Sequence, residues 1–242
     1  MLREMSTTNG QSPGGYLWAI LEPAAGIAFL TAIFSLGFRA PPLGTNFAYF
    51  YAGGILPLLT FNDVSSKLSQ TFKFSRGLLE YPRVTFADAL LARLFLATLT
   101  QIMVYYVVLS TILLFTETHT SMDFGIVIEA FGLVMVFSTG VGILNGFLMT
   151  AFPLWQTIWT VATRPLMLVS CIFFLLESVP QPYQGYLWYN PLSHVTGMMR
   201  DGFYPFYNPT YPSALYVFIC GALPGLVGLL LLRRYHREML DR

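Results

Sequence analysis

"ESVPQPYQGYLWYNPLSHVTGMMRDGFYPFYNPTYP", residues 177–212, lies between two apolar runs and is cut by prolines at 180, 182, 191, 205, 209 and 212. No uninterrupted piece approaches the roughly 20 apolar helical residues that a bilayer crossing needs. The spacing leaves room for two short helices, near residues 185–189 and 192–202. Asn190 would cap the second, with Pro191 at its first helical position. Non-helical backbone at membrane depth is tolerated only where it is buried in protein or lines water. A segment of this kind that dips into a bilayer therefore borders a wet vestibule. This reading predicts an all-α integral membrane protein, with six transmembrane helices and a re-entrant helical hairpin before the last span.

The flanks support a membrane fold. The 242 residues are 55% apolar, 16% aromatic and 10% charged, with a mean hydropathy of +0.60, whereas charged residues make up roughly a quarter of an average soluble domain. Candidate spans cover residues 16–38, 46–66, 88–116, 125–150, 154–177 and 212–232. The first contains Glu22 and Pro23 and is too long for a secretory signal, so it reads as an uncleaved span. Lys67, Lys73, Arg76 and Arg83 in the second connection, Arg164 beside the fourth, and Arg233, Arg234, Arg237 and Arg242 in the tail fall on one side. The opposite connections hold Arg39, the acids of "TETHTSMD" and Arg200. By the positive-inside rule both termini are cytoplasmic. A net charge of +1, spread along the chain, argues against nucleic-acid binding.

Cys171 and Cys220 sit in apolar runs and suggest neither disulfide nor metal. Gly142 and Gly146, and Gly221 and Gly225, have the four-residue spacing that lets helix backbones approach closely. Pro23 and Pro224 are candidate kinks. Nothing resembles the G-x-x-x-x-G-K-[ST] phosphate loop, so driven transport would take its energy from elsewhere.

Among charges inside spans (Glu22, Asp63, Asp88, Arg93, Glu129 and Glu177), Glu22 beside Pro23 and Glu129 stand out as worth testing; no chain of acids and histidines suggests a proton relay. In the basic connection, Arg76 and Glu80 are four apart, suited to a short helix stopped by Pro82. That loop either fixes orientation at anionic lipid or docks a cytoplasmic partner, with Leu78, Leu79 and Tyr81 entering a groove while Arg76 and Arg83 steer. The rings around the proline-rich segment, Trp188, Tyr189, Tyr204 and Tyr207 among them, read either as an interfacial belt or as a lined exit for sugar rings. Arg200 beside Asp201 reads as a local ion pair, with contact to an acidic substrate as the alternative. His119, His194 and His236 have no partners that suggest catalysis, and no nucleophile–base pair is evident.

With these residues assembled, "GYLWAILEP" at 15–23, "GLLEYPRV" at 77–84 and "YNPLSHVTGMMRDGF" at 189–203, in this order within a six-span plan, resemble the membrane subunit of type-2 ABC exporters. The similarity is strongest to permeases of capsular and other cell-surface polysaccharide export. The resemblance implies a permease that is not itself an enzyme. It binds no cofactor of its own; ATP and Mg²⁺ belong to a separate ATP-binding cassette ATPase subunit. It implies two copies of the permease around the pore, a glycan substrate, free or lipid-linked, further periplasmic and outer-membrane export proteins, and a bacterial inner-membrane location. Residues 1–15 become a cytoplasmic segment, 16–232 the membrane domain, 67–87 its coupling loop, 180–211 its periplasmic re-entrant region and 233–242 a cytoplasmic tail. Arg76, Leu78, Leu79, Glu80, Tyr81 and Arg83 are then the coupling residues. Trp18, Glu22, Trp188, Tyr189, Arg200, Tyr204 and Tyr207 are the candidate substrate path, with Asn190 and Pro191 as a structural motif. The family's amphipathic N-terminal helix is reduced, because "MSTTNGQSPG" is polar with few basic residues. The rival within transport is an exporter of a lipid, drug or other small amphiphile. The rival outside it, a membrane enzyme or scaffold, needs a cluster of acids and histidines that the sequence does not display.

Overall fold

The structure, a computed structural model, describes residues 15–71, 86–116 and 121–240. The regular elements among them are all helical: α1 (Gly15–Gly37), α2 (Phe47–Ser69), α3 (Phe86–Phe115), α4 (Phe124–Ala151), α5 (Pro153–Thr163), α6 (Leu166–Val169), α7 (Tyr183–Trp188), α8 (Pro191–Phe203) and α9 (Ala214–Leu240), with a 3₁₀ turn at Leu176–Ser178. Four of them, over Leu17–Gly37, Phe86–Phe115, Phe124–Ala151 and Ala214–Tyr235, are long and apolar enough to cross a membrane. Local chemistry sets several starts. The Asn46 side chain accepts from the Tyr49 amide at 3.1 Å to begin α2. Asp123 accepts from the Gly125 amide at 2.8 Å to begin α4. Pro153 occupies the first turn of α5, where its missing N–H costs nothing. Pro23 and Pro224 lie inside α1 and α9, which run on through them.

α4 is the hub, packed against α9, α2 and α8. Its glycines explain how. A methyl group on Gly140 would overlap the Gly221 backbone, and one on Gly221 would stand 2.7 Å from the Phe137 Cα. The α4–α9 seam is therefore a backbone-to-backbone contact of the small-residue type. Gly142 serves the other side, where an added methyl would lie 2.9 Å from Leu68 and 3.0 Å from Ser65 of α2. Phe61 and Phe137 stack at 4.9 Å across the same interface.

Two expected spans look different in the structure. The second is the 23-residue helix α2, kept out of the long apolar set by its polar content. One face is satisfied internally: Asp63 pairs with Lys67 at 2.7 Å and accepts from Gln101 of α3 at 2.8 Å, while Thr60 reaches Gln101 at 3.2 Å. The fifth, residues 154–177, is not one helix. α5 gives way to α6 at Arg164-Pro165, and helix ends at Ser170. Cys171 then takes a positive φ of 56° and the chain continues without regular structure to Leu176. Pro165 explains the first break, because it has no amide to donate to the preceding turn. The second break is held by tertiary contacts.

Lys67, Arg93, Arg233 and Arg234 gather at one end of the bundle. Arg93 Nη1 donates to the Lys67 carbonyl at 3.0 Å, and Phe147 near the end of α4 meets Tyr235 of α9 at 6.0 Å. Asp123, Glu177 and Asp201 belong to the other end: the Asp123 amide donates to the Gly202 carbonyl at 2.8 Å.

Candidate functional site: a polar cleft and its proline-rich rim

α8 is the anchor of the rim. Asn190 caps it, its Oδ1 accepting from the Leu192 amide at 3.1 Å while its Nδ2 donates to Ser170 Oγ at 3.1 Å. Ser193 Oγ donates to the Val169 carbonyl at 3.1 Å. The start of α8 is thereby tied to the end of α6. Arg200, fully buried, completes the tie: its Nη2 and Nη1 donate to the carbonyls of Ile172 and Phe174 at 2.7 and 3.0 Å. Its guanidinium lies 4.1 Å from the centre of the Phe50 ring. Room for it comes from Gly53 of α2, where a methyl would stand 3.2 Å from Arg200 Cγ. The ion pair with Asp201 expected above is not formed, because two carbonyls released by the broken helix claim the guanidinium. Asp201 remains half-buried, and burial, then the nearby Asp123, raise its carboxyl above the ordinary range.

A ring cluster joins α7, α8 and the start of α9. His194, buried, donates from Nε2 to the Trp188 carbonyl at 2.7 Å and accepts at Nδ1 from the Ser213 amide at 3.1 Å. This pattern assigns the neutral tautomer; burial also lowers its pKa. Trp188 lies edge-on to it at 4.9 Å and donates to the Tyr211 carbonyl at 3.3 Å. Tyr204 is buried against Tyr49 at 5.3 Å. Tyr207 donates to the Glu177 carboxylate at 3.0 Å. Burial, the neighbouring Tyr211 and the Glu177 charge push its phenol well up, keeping it a donor. Tyr189 alone among these rings is largely exposed. Trp18 and Glu22 lie on the exposed side of α1. Arg76, Leu78, Leu79, Glu80, Tyr81 and Arg83 fall outside the described residues.

The feature not anticipated from the sequence is a cleft of about 500 Å³ between α2, the end of α4 and α5. α2 contributes Asn62, Ser65, Ser66, Ser69 and Gln70; α5 contributes Gln156, Thr160 and Thr163, with Arg164 just beyond. Each set follows a spacing of three and four, which puts it on one helix face. Leu58, Leu59, Met149, Trp159 and Met167 complete the lining, so the cleft presents hydroxyls, amides and one guanidinium among apolar side chains, within a bundle whose long helices are apolar. α5 is held to α4 by Trp155, whose Nε1 donates to Asn145 Oδ1 at 2.8 Å, and it buries no residue of its own.

Apolar helices long enough to span a bilayer, locked by glycine contacts beside a cleft lined in part by polar side chains, define a helical membrane protein. The chain belongs to the ABC-2 type transporter family, which it matches over residues 1–204. It is similar to the polysialic acid transport protein KpsM of Escherichia coli, 30% identical over 239 residues that cover 99% of this chain and 93% of KpsM. It is also similar to the capsule polysaccharide export inner-membrane protein CtrC of Neisseria meningitidis serogroup B, 25% identical over 242 residues (98% of this chain, 89% of CtrC). With the capsule polysaccharide export inner-membrane protein BexB of Haemophilus influenzae the identity is 21% over 238 residues (98% and 89%).

Proposed function

We propose that the chain is the membrane-spanning subunit of an ATP-driven exporter that carries a capsular or other cell-surface polysaccharide, free or lipid-linked, across a bacterial inner membrane. The observation that carries this reading is the polar cleft. A hydrated glycan cannot enter hydrocarbon, since each unpaired hydroxyl would cost roughly 4–8 kcal/mol in an apolar solvent. Serine, threonine, asparagine and glutamine side chains replace water's hydrogen bonds without binding any one sugar tightly. The relatives' names, all of polysaccharide transport, support the cargo.

In this reading α2 and the broken α5–α6 unit complete six crossings beside the four long apolar helices, and the even count puts both termini on the same side. The basic end of the bundle faces inward. α7 and α8 form the re-entrant region at the outer mouth, with Arg200 satisfying the carbonyls that the interrupted fifth crossing releases. A second copy closes the conduit against α1 and α5, where Trp18, Phe29, Leu154 and Ile158 are exposed. Energy comes from a separate ATPase subunit, with its ATP and Mg²⁺, docked on the basic loop between α2 and α3. Periplasmic and outer-membrane proteins continue the route. Export is tested in cells lacking the native gene and complemented with Glu80→Ala/Arg83→Ala: the variant reaches the membrane at parental level but surface polymer falls at least tenfold. Parental surface polymer from that variant refutes the docking role.

A further inference from the structure

The cleft has an uneven charge. Asp63 and Lys67 face away from it and pair with each other, leaving Arg164 as the one charged residue among the described residues that line it. No ion pair of Arg164 occurs among the described residues, and its side chain is exposed into the cleft. Its height follows from the packing. Trp155 is pinned to Asn145, and the next residue, Gly146, faces the Ser69 backbone, 3.4 Å from an added methyl. Arg164 lies nine residues beyond Trp155, about 13 Å along the helix at 1.5 Å per residue. It therefore sits about two turns deeper than the basic end marked by Lys67. An arginine at that depth is costly unless it faces water or a partner.

We propose that Arg164 forms, with Asn62, Ser66, Gln156 and Thr160, a binding site for an oxyanion, the carboxylate of an acidic sugar or the phosphate of a lipid-linked sugar. The site rests on the cleft being the cargo path. A guanidinium offers a planar fork that takes either group through two parallel hydrogen bonds. Thr160, one turn before it on α5, and the hydroxyls and amides of α2 that share the lining offer donors for the remaining oxygens. The absence of an acid from the described lining keeps the local potential positive. Trp159 supplies an apolar wall beside the charge, suited to the face of a sugar ring. The site selects for negative cargo at an intermediate depth, and water in the cleft keeps the pairing weak enough for release.

The test uses the full-length chain in lipid nanodiscs and isothermal titration with two probes. One is an oligomer of galacturonic acid, which carries carboxylates and no lipid. The other is lysophosphatidylglycerol, which carries a phosphate and no sugar chain. Binding of one or both names the source of the anion. Arg164→Gln is expected to weaken that binding at least about tenfold, the loss typical of a charge-assisted hydrogen bond. Arg164→Lys, which keeps the charge but not the fork, is expected to lose less, and parental binding is expected to fall with added salt. Failure of the parent to bind either probe, or parental affinity in Arg164→Gln, overturns the site. Ser66→Trp, which fills the cleft, separates this from the path itself. Blocked export in Ser66→Trp with unchanged binding in Arg164→Gln removes only the anion site; normal export in Ser66→Trp removes the path.

Discussion

Replacing Arg200 tests whether the non-helical stretch after α6 is held from a distance. In Arg200→Met the side chain keeps its length and apolar bulk while the donors to Ile172 and Phe174 disappear. Each buried carbonyl left without a donor costs about 1–3 kcal/mol, so the pair costs roughly 2–6 kcal/mol. At about 2–4 °C per kcal/mol for a chain of this length, a central loss of ~4 kcal/mol lowers the unfolding midpoint by about 8–16 °C. Arg200→Lys keeps one donor within reach of one carbonyl and is expected to lose about half as much. Arg200→Ala adds an unfilled volume beside Phe50 and Gly53 and is expected to lose the most. The assay is thermal unfolding of the full-length chain in detergent, followed by the fraction that stays monodisperse on fluorescence-detected chromatography. A midpoint for Arg200→Met within ~2 °C of the parent, far inside that range, refutes the reasoning. If export were then still lost, Arg200 would act on cargo rather than on the fold.

Gly140→Leu and Gly221→Leu are each expected to abolish stable folding, because backbone occupies the space on both sides; Gly146→Ala, whose added methyl stands 3.4 Å from Ser69, is expected to shift the same thermal midpoint by no more than a few degrees. His194 gives a pH dependence of known sign. Its folded pKa lies below the ordinary value of 6.5, so above about pH 6.5 both folded and unfolded chains hold it neutral and stability is complete. As pH falls below that value the unfolded chain binds the proton first, and stability declines toward the folded pKa. Midpoints measured from pH 8 to pH 5 are expected to fall below about pH 6.5, and His194→Gln to flatten that part of the profile; an unchanged slope refutes the assignment.

The long apolar helices are legible in the sequence because hydropathy over some twenty residues needs no knowledge of neighbours. The positions of α7 and α8 are legible too, since proline placement and the Asn190-Pro191 pair are local signals. The interruption at residues 170–175 is not, because "SCIFFL" is as apolar as any span. The open chain there is held by Arg200, which lies 26–28 residues away along the chain from the carbonyls it satisfies. The same contact explains why Arg200 reads from sequence as half of a pair with Asp201: adjacency is visible, but the direction of a side chain is not. The polar cleft is a different kind of omission. Asn62, Ser66, Ser69 and Gln70 on α2, and Gln156, Thr160 and Thr163 on α5, form stripes by spacing alone. Averaging hydropathy around the whole helix hides them, and Arg164 reads as a flank of the connection only while residues 154–177 are taken as a straight span.

The glycine contact between α4 and α9 also bears on how such a protein opens. Where main chain rests on main chain there is no compliant layer of side chains to shear, so neither helix can slip along the other and the two form a single beam. By contrast, α5 is a leaf fastened at one edge by Trp155, and α1 inserts little more than Ile27 and Leu30 into the interior. Any enlargement of the cleft will be borne by those two outer pieces swinging away from a backbone that does not yield.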